Sequence, residues 1–217
     1  MSFFLTGTDT GAGKTYVTAL LLRVLRGQGV DAVGMKPICC GGREDAEALW
    51  EASGEALPLN QVNPVWLRTP AAPYTAALVE NRPIDLDLVR ETYAALRATY
   101  RCVLVEGVGG WMVPITDKYS VADLATEMNL PVVVVAANRL GVINHTLLTV
   151  QSIYQRGLTC AGVILNDVTP GSPEESVAIT TNAGILETLL DVPILLQITH
   201  GQTDLQIPHV LRRWLSA

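Results

Sequence analysis

The chain predicts a three-layer α/β fold in which a mostly parallel sheet carries helices on both faces. Short β-rich runs alternate with longer segments of helical period, which is the order of successive βαβ units. Several of those runs are apolar at every position, as strands covered from both sides are. A mean hydropathy of +0.30 agrees. With 217 residues, 49% of them hydrophobic and 17% charged, a single domain spanning 1–217 is expected. A chain of this length buries roughly 70% of its unfolded surface and needs no disulfide or metal staple.

Residues 3–5 open the chain as a strand. Val17, Leu20, Leu21, Val24 and Leu25 then fall at helical spacing, and Gly27 and Gly29 end that helix. A strand at 32–35 and a helix at 45–52 follow. The stretch 57–83 carries Pro58, Pro64, Pro70, Pro73 and Pro83, a density that excludes a long helix or a central strand and predicts a loop-rich excursion. Beyond it the pattern predicts a helix at 87–99, a strand at 102–105 and a helix at 120–128, where Ser120 and Asp123 resemble a capping box. Strands at 132–136, 161–165 and 194–197 alternate with helices at 144–155, 173–190 and 208–215. No repeat or low-complexity segment interrupts this order.

Fifteen basic residues against 21 acidic ones give a formal charge of −6, which argues against duplex binding, where affinity rests on neutralising phosphates. No nucleic-acid partner is expected. The first residues lack a basic leader, and the apolar runs are too short to span a bilayer, so a cytoplasmic protein without membrane contact is expected. Cys39, Cys40, Cys102 and Cys160 show no C-x-x-C spacing. Reduced thiols are expected, with Cys39 and Cys40 as small residues in a tight loop and no metal-thiolate site. His145, His200 and His209 have no metal-ligand spacing, and neither a G-x-S-x-G nor a catalytic Cys–His signature occurs.

The chemistry concentrates after the first strand, in Gly7-Thr8-Asp9-Thr10-Gly11-Ala12-Gly13-Lys14-Thr15. In the frame G-x-x-x-x-G-K-[ST] the final Gly13-Lys14-Thr15 is intact, while the first glycine position holds Thr8. The segment leaves a strand and opens a helix, so its backbone N–H groups can turn inward around phosphates. Lys14 would reach the β- and γ-phosphates, and the Thr15 hydroxyl would suit Mg²⁺, a hard ion that prefers oxygen ligands. These features predict a P-loop NTPase-like nucleotide-binding fold.

Lysine is scarce, with only Lys14, Lys36 and Lys118. Lys36 follows the strand at 32–35 and would emerge at its carboxyl edge, where open α/β sheets bind ligands. It suits a carboxylate or phosphate there, or else is a solvated surface lysine. Lys118 beside Asp117 reads as surface. Cys102-Val103-Leu104-Val105-Glu106 is an apolar strand ending in a carboxylate, the usual way a second Mg²⁺-directed acid is delivered. Gly107, Gly109 and Gly110 then permit close approach by a ligand. Asp45 opens a helix, where complementing the helix dipole explains an acid equally well.

In these motifs the chain resembles the dethiobiotin synthetase family. The shared features are the loop Gly7 to Thr15, Lys36-Pro37, Asp45-Ala46, Val105-Glu106-Gly107-Val108-Gly109-Gly110-Trp111, Leu140-Gly141-Val142-Ile143-Asn144-His145 and Asn166-Asp167-Val168. Their joint order is far more specific than a P-loop alone. The resemblance implies a Mg²⁺-dependent homodimer that turns 7,8-diaminopelargonate, CO₂ and ATP into dethiobiotin, ADP and phosphate through a carbamate and a carbamic-phosphoric anhydride.

The resemblance further implies that Thr15, Asp45 and Glu106 hold Mg²⁺, with Glu44 and Glu47 as alternatives to Asp45. Lys14 would contact the phosphates, and Lys36 with Thr10 would stabilise the carbamate, as fixed charge aimed at a developing anion does. Nucleotide contacts would come from Gly11, Ala12, Gly13, Lys14, Thr15 and Tyr16, from Glu106, Gly107 and Gly109, and from Asn166 at the base. Substrate contacts would come from Lys36, Cys40, Gly109 and Gly110, with Gly141, Val142 and Asn144 reaching in from the partner subunit to receive the substrate carboxylate. The chain departs from the common family pattern at Gly11, often an acid, at Cys40, often Ser, at Ala72, near a usual Ser, and at Thr199, often Pro. These departures bear on nucleotide preference.

Two other readings compete. A partitioning or regulatory P-loop ATPase would carry a signature lysine early in the loop, where this chain has Thr8. A corrinoid-type amidoligase would join a glutaminase domain, for which 217 residues leave no room.

Overall fold

The computed structural model describes residues 2–170 and 176–206. Six parallel strands form the main sheet: β1 (Phe3–Gly7), β2 (Ala32–Met35), β5 (Cys102–Gly110), β6 (Val132–Ala137), β7 (Cys160–Asn166) and β8 (Ile194–Ile198). They lie in the order β2-β5-β1-β6-β7-β8. Every residue of β1, β2, β6 and β7 is buried, so both faces of the sheet are covered, as unbroken apolar runs require. The predicted strands are all present. The one at 102–105 continues to Gly110 because its glycines still pair with the end of β1, Gly7 lying opposite Gly110.

The helices α1 (Lys14–Gly27), α2 (Glu44–Ala52), α5 (Leu86–Thr99), α6 (Val121–Met128), α7 (Val142–Gln155) and α8 (Ser176–Leu189) connect these strands. In α1, Val17, Leu20, Leu22 and Leu25 are buried, each worth about 1.5–3 kcal/mol over an exposed position. At the start of α6, Asp123 N–H donates to the Ser120 hydroxyl at 3.3 Å and Ser120 N–H donates to Asp123 at 2.7 Å, the capping box the sequence predicts. Helix α7 begins two residues before its predicted start, because Gly141 takes φ 93° and so turns the chain into the helix with Val142 already buried. The predicted helix at 208–215 and the start of the one at 173–190 lie outside the described residues.

The proline-rich excursion is more ordered than predicted. It contains α3 (Leu59–Val62), the short strand β4 (Val65–Leu67) and α4 (Pro73–Val79). Strand β4 pairs in parallel with β3 (Ile38–Cys40), forming a separate two-stranded sheet. Cys39 and Cys40 therefore sit on a strand and not in a tight loop, since the excursion supplies a pairing partner that local sequence does not reveal. All four cysteines are free thiols. Among the described residues no helix is long and apolar enough to cross a membrane.

The sheet order places the chemistry. From β1 the chain passes to β2 at one edge, whereas from β5 it crosses to β6 on the far side of β1. Open α/β sheets bind ligands outside the strand carboxyl ends where the winding reverses in this way. The loop between β1 and α1 lies there.

Candidate active site

Register brings the predicted residues together. Met35 pairs with Val105, and Leu5 with Glu106, so Lys36, one residue past β2, stands level with Glu106 on the adjacent strand. Its Nζ lies 2.6 Å from Glu106 Oε1 and 2.7 Å from Asp45 Oδ2. The lysine and Glu106 side chains are 3% and 0% exposed, while Asp45 is 52% exposed. Burial works against the Lys36 charge, but Glu106 and Asp45 outweigh it and hold the ammonium above its ordinary pKa. Burial likewise disfavours the charge on Asp45, yet Lys36, a hydrogen bond from Thr15 and the charge of Lys14 keep its carboxyl below the usual range. Lys36 is thus a buried, doubly ion-paired cation and not a solvated surface group.

The excursion holds this lysine from behind. Lys36 N–H donates to the Val62 carbonyl at 2.7 Å. Asn63, 1% exposed, donates to the Lys36 carbonyl at 2.9 Å and the Val65 carbonyl at 2.8 Å. Arg43 donates in turn to the Asn63 side chain at 3.1 Å. Sequence reasoning passed over Asn63, because Asn before Pro64 ordinarily marks only a turn.

On the opposite side, the Thr15 hydroxyl donates to Glu106 Oε1 at 2.7 Å. Lys14 is 6% exposed, and its ammonium donates to the Asp9 carbonyl at 3.4 Å. Burial, helped by the nearby Lys36 charge, lowers Lys14 to about 8. Gly13 takes φ 82°, and a Cβ there would lie 2.1 Å from Asn166 Nδ2, so only glycine fits. Asn166 ends β7 and its amide donates to the Ala12 carbonyl at 3.0 Å, bracing the loop from below.

A cleft of about 630 Å³ opens over this cluster, bordered by Thr10, Gly11, Gly13, Lys14, Thr15, Lys36, Cys40, Asp45 and Gly109. The departures at Gly11, Cys40 and Ala72 all face it. Burial pushes the Cys40 thiol up to about 11, so it lines the cleft as a neutral group. A second cavity of about 370 Å³, bordered by Thr8, Asp9, Gly110 and Trp111, shares Val113 with the first. Glu44 and Glu47 are exposed, and Asp45 is the acid of α2 that meets Lys36. Gly141, Val142 and Asn144 border neither cavity of their own chain. The Tyr16 hydroxyl donates to the Gln202 carbonyl. Lys118 is exposed, as are His145 and His200, while His209 lies outside the described residues.

A phosphate-type glycine loop between the central strand and α1, followed by Lys14 and Thr15 and flanked by an acid on a neighbouring strand, defines a P-loop nucleoside-triphosphate-binding protein. Solved structures agree on the fold. The septum site-determining protein MinD of Pyrococcus horikoshii, complexed with Mg-ADP, superposes with a TM-score of 0.56 at 17% identity, covering 92% of this chain and 82% of that one. A ParA family ATPase from Chlorobium tepidum gives 0.54 at 11% identity, covering 100% and 97%. At such identities the likeness speaks to fold alone. A family model described as an AAA domain matches residues 1–202. The ATP-dependent dethiobiotin synthetase of Akkermansia muciniphila is 44% identical over 98% of both chains, and that of Aromatoleum aromaticum is 42% identical over 97% of this chain and 96% of its own. The chain belongs to the ATP-dependent dethiobiotin synthetase family.

Proposed function

We propose that this protein is an ATP-dependent dethiobiotin synthetase, acting on 7,8-diaminopelargonate, CO₂ and ATP. One amine adds to CO₂ and loses a proton, giving a carbamate. A carbamate oxygen attacks the γ-phosphorus and ADP departs, leaving a carbamic-phosphoric anhydride. The second amine attacks the anhydride carbon and gives up a proton, phosphate leaves and the cyclic urea closes. The observation that carries this reading is the Lys36 ammonium, held at 2.6 and 2.7 Å between Glu106 and Asp45 on the wall of the cleft that Lys14 and Thr10 also line. A fixed cation beside the phosphate loop stabilises an anion forming next to the γ-phosphate.

In this scheme the loop amides and Lys14 orient the phosphates, Lys36 and Thr10 hold the carbamate, and Asn166, buried with its amide on the Ala12 carbonyl, supports the loop from below instead of lining the cleft. Thr15, Asp45 and Glu106 would hold Mg²⁺. The fit is chemical: all three offer hard oxygens, and Glu106 Oε2 is buried without a hydrogen-bond partner. The ion would neutralise charge on the β- and γ-phosphates. A homodimer would bring Gly141, Val142 and Asn144 of one subunit to the carboxylate of substrate bound in the other.

The test mixes the protein with Mg²⁺, ATP, bicarbonate and 7,8-diaminopelargonate, and follows cyclic urea by mass spectrometry alongside phosphate release. Product that depends on all four components is expected. Phosphate release without cyclic urea would reject the synthetase reading in favour of a P-loop switch.

A further inference from the structure

Helix α8 borders neither cavity, yet it reaches the entry of α7 through a buried polar network. Asn182 on α8 is 3% exposed. Its amide donates to Asn138 Oδ1 at 2.9 Å and to the Arg139 carbonyl at 3.3 Å. That carbonyl also accepts the Val142 N–H at 3.1 Å, the first amide of α7. Asn138, 6% exposed, donates its own amide to Asp167 Oδ1 at 2.8 Å and to the Ile179 carbonyl at 3.2 Å. Its backbone N–H donates to the Asn166 carbonyl at 2.8 Å.

Stability alone does not call for such a network. The same helix buries Ala183 and Leu186, and further apolar packing would hold α8 in place. Apolar contacts tolerate sliding, whereas buried hydrogen bonds specify distance and angle and penalise misalignment. Among the described residues little else fixes the turn Arg139 to Gly141. Gly141, the N-cap of α7, has no side chain with which to cap it, and the half-exposed Arg139 guanidinium meets Asp9 only at 3.9 Å. Through Asn166, whose amide braces Ala12, the network is continuous with the phosphate loop.

We infer that Asn182, acting with Asn138, is a positioning residue for substrate carboxylate recognition: it fixes the carbonyl from which α7 starts and so aims the first-turn amides of that helix. The inference rests on the proposed reading that this helix end receives the carboxylate of substrate bound in the neighbouring subunit. Asn182 touches no reacting atom, and its effect passes entirely through the Arg139 to Gly141 turn.

The test compares the parent with Asn182→Leu on 7,8-diaminopelargonate and on the corresponding diamine lacking the carboxylate. The variant is expected to lose at least about tenfold in kcat/KM for the acid, through KM. Its kcat/KM for the carboxylate-free diamine and its KM for ATP should change by less than about twofold. Equal losses on both diamines mark a merely structural effect and overturn the assignment, as does no loss on either. Asn182→Ser, too short to reach the Arg139 carbonyl but small enough to be accommodated, is measured in parallel, so that misfolding of the leucine variant does not decide the matter. Its loss must show the same selectivity for the acid. A parent that forms no cyclic urea overturns the functional reading itself, before any variant is compared. A parent that sediments as an active monomer overturns the cross-subunit assignment.

Discussion

Replacing Lys36 with methionine keeps the aliphatic stem and removes the ammonium, which isolates the energetics of the buried cation. Glu106 is fully buried, and its Oε1 lies 2.6 Å from the lysine. At an effective dielectric constant near 20, attraction at that separation is about 6 kcal/mol. Desolvation of both groups offsets several kcal/mol of it, and breaking a buried pair from one side costs about 3–5 kcal/mol. Asp45, half exposed, can be rehydrated and adds little. For a chain of this size the loss corresponds to a fall in Tm of roughly 6–20 °C.

The diagnostic step is the second substitution. In Lys36→Met/Glu106→Gln the stranded carboxylate is gone, so the double variant should recover about 1–3 kcal/mol relative to Lys36→Met alone. Urea unfolding followed by circular dichroism measures both differences. Lys36→Met within about 1 kcal/mol of the parent, or a double variant no more stable than the single one, would refute the claim that these two charges support each other.

Two further outcomes follow from the phosphate loop. Gly13→Ala forces a side chain into a left-handed backbone conformation and towards Asn166, 2.1 Å from the new Cβ, so ATP affinity should drop at least about tenfold in calorimetric titration; unchanged affinity would refute the close fit. Lys14, lowered to about 8 by burial and then by Lys36, loses its proton as pH rises through that value in the ligand-free protein. ATP favours the charged form, so binding at about pH 8.5 should take up a proton and weaken above it. Titrations in buffers of differing ionisation heat read this directly, and zero uptake would contradict it. The unfolding linkage has the matching sign. Between about 8 and the ordinary 10.5 the unfolded chain holds a proton that the folded chain lacks, so this group adds stability as pH rises across the window.

The strands, the phosphate loop and Lys14 within it were legible because each is announced locally, whereas Lys36 read equally well as a solvated surface lysine until its pairing with Glu106 and Asp45 was seen. An unbroken apolar run marks a covered strand, Gly13-Lys14-Thr15 marks an anion-binding turn, and Ser120 with Asp123 marks a helix start. Asp45 was ambiguous, since Glu44 and Glu47 share its helix and composition cannot say which faces the sheet. The order of Cys39 and Cys40 was misjudged for a related reason: β3 exists only because β4, some 27 residues later by the pairing of Ile38 with Val65, lies beside it.

The sequence by itself determined the fold class and the chemical inventory, because apolar periodicity and glycine-rich turns act over a few residues and need no distant partner. Only the tertiary structure decided which groups share a site. The strand order set β2 and β1 on either side of β5, and this placed Lys36, Thr15 and Asp45 around Glu106 although 70 residues separate Lys36 from Glu106 and 91 separate Thr15 from it. Asn63, Asn138 and Asn182 carry no local signature at all. An asparagine becomes a brace only when folding buries its amide among acceptors from distant parts of the chain, and the cost of leaving that amide unmet exists only once water has been excluded.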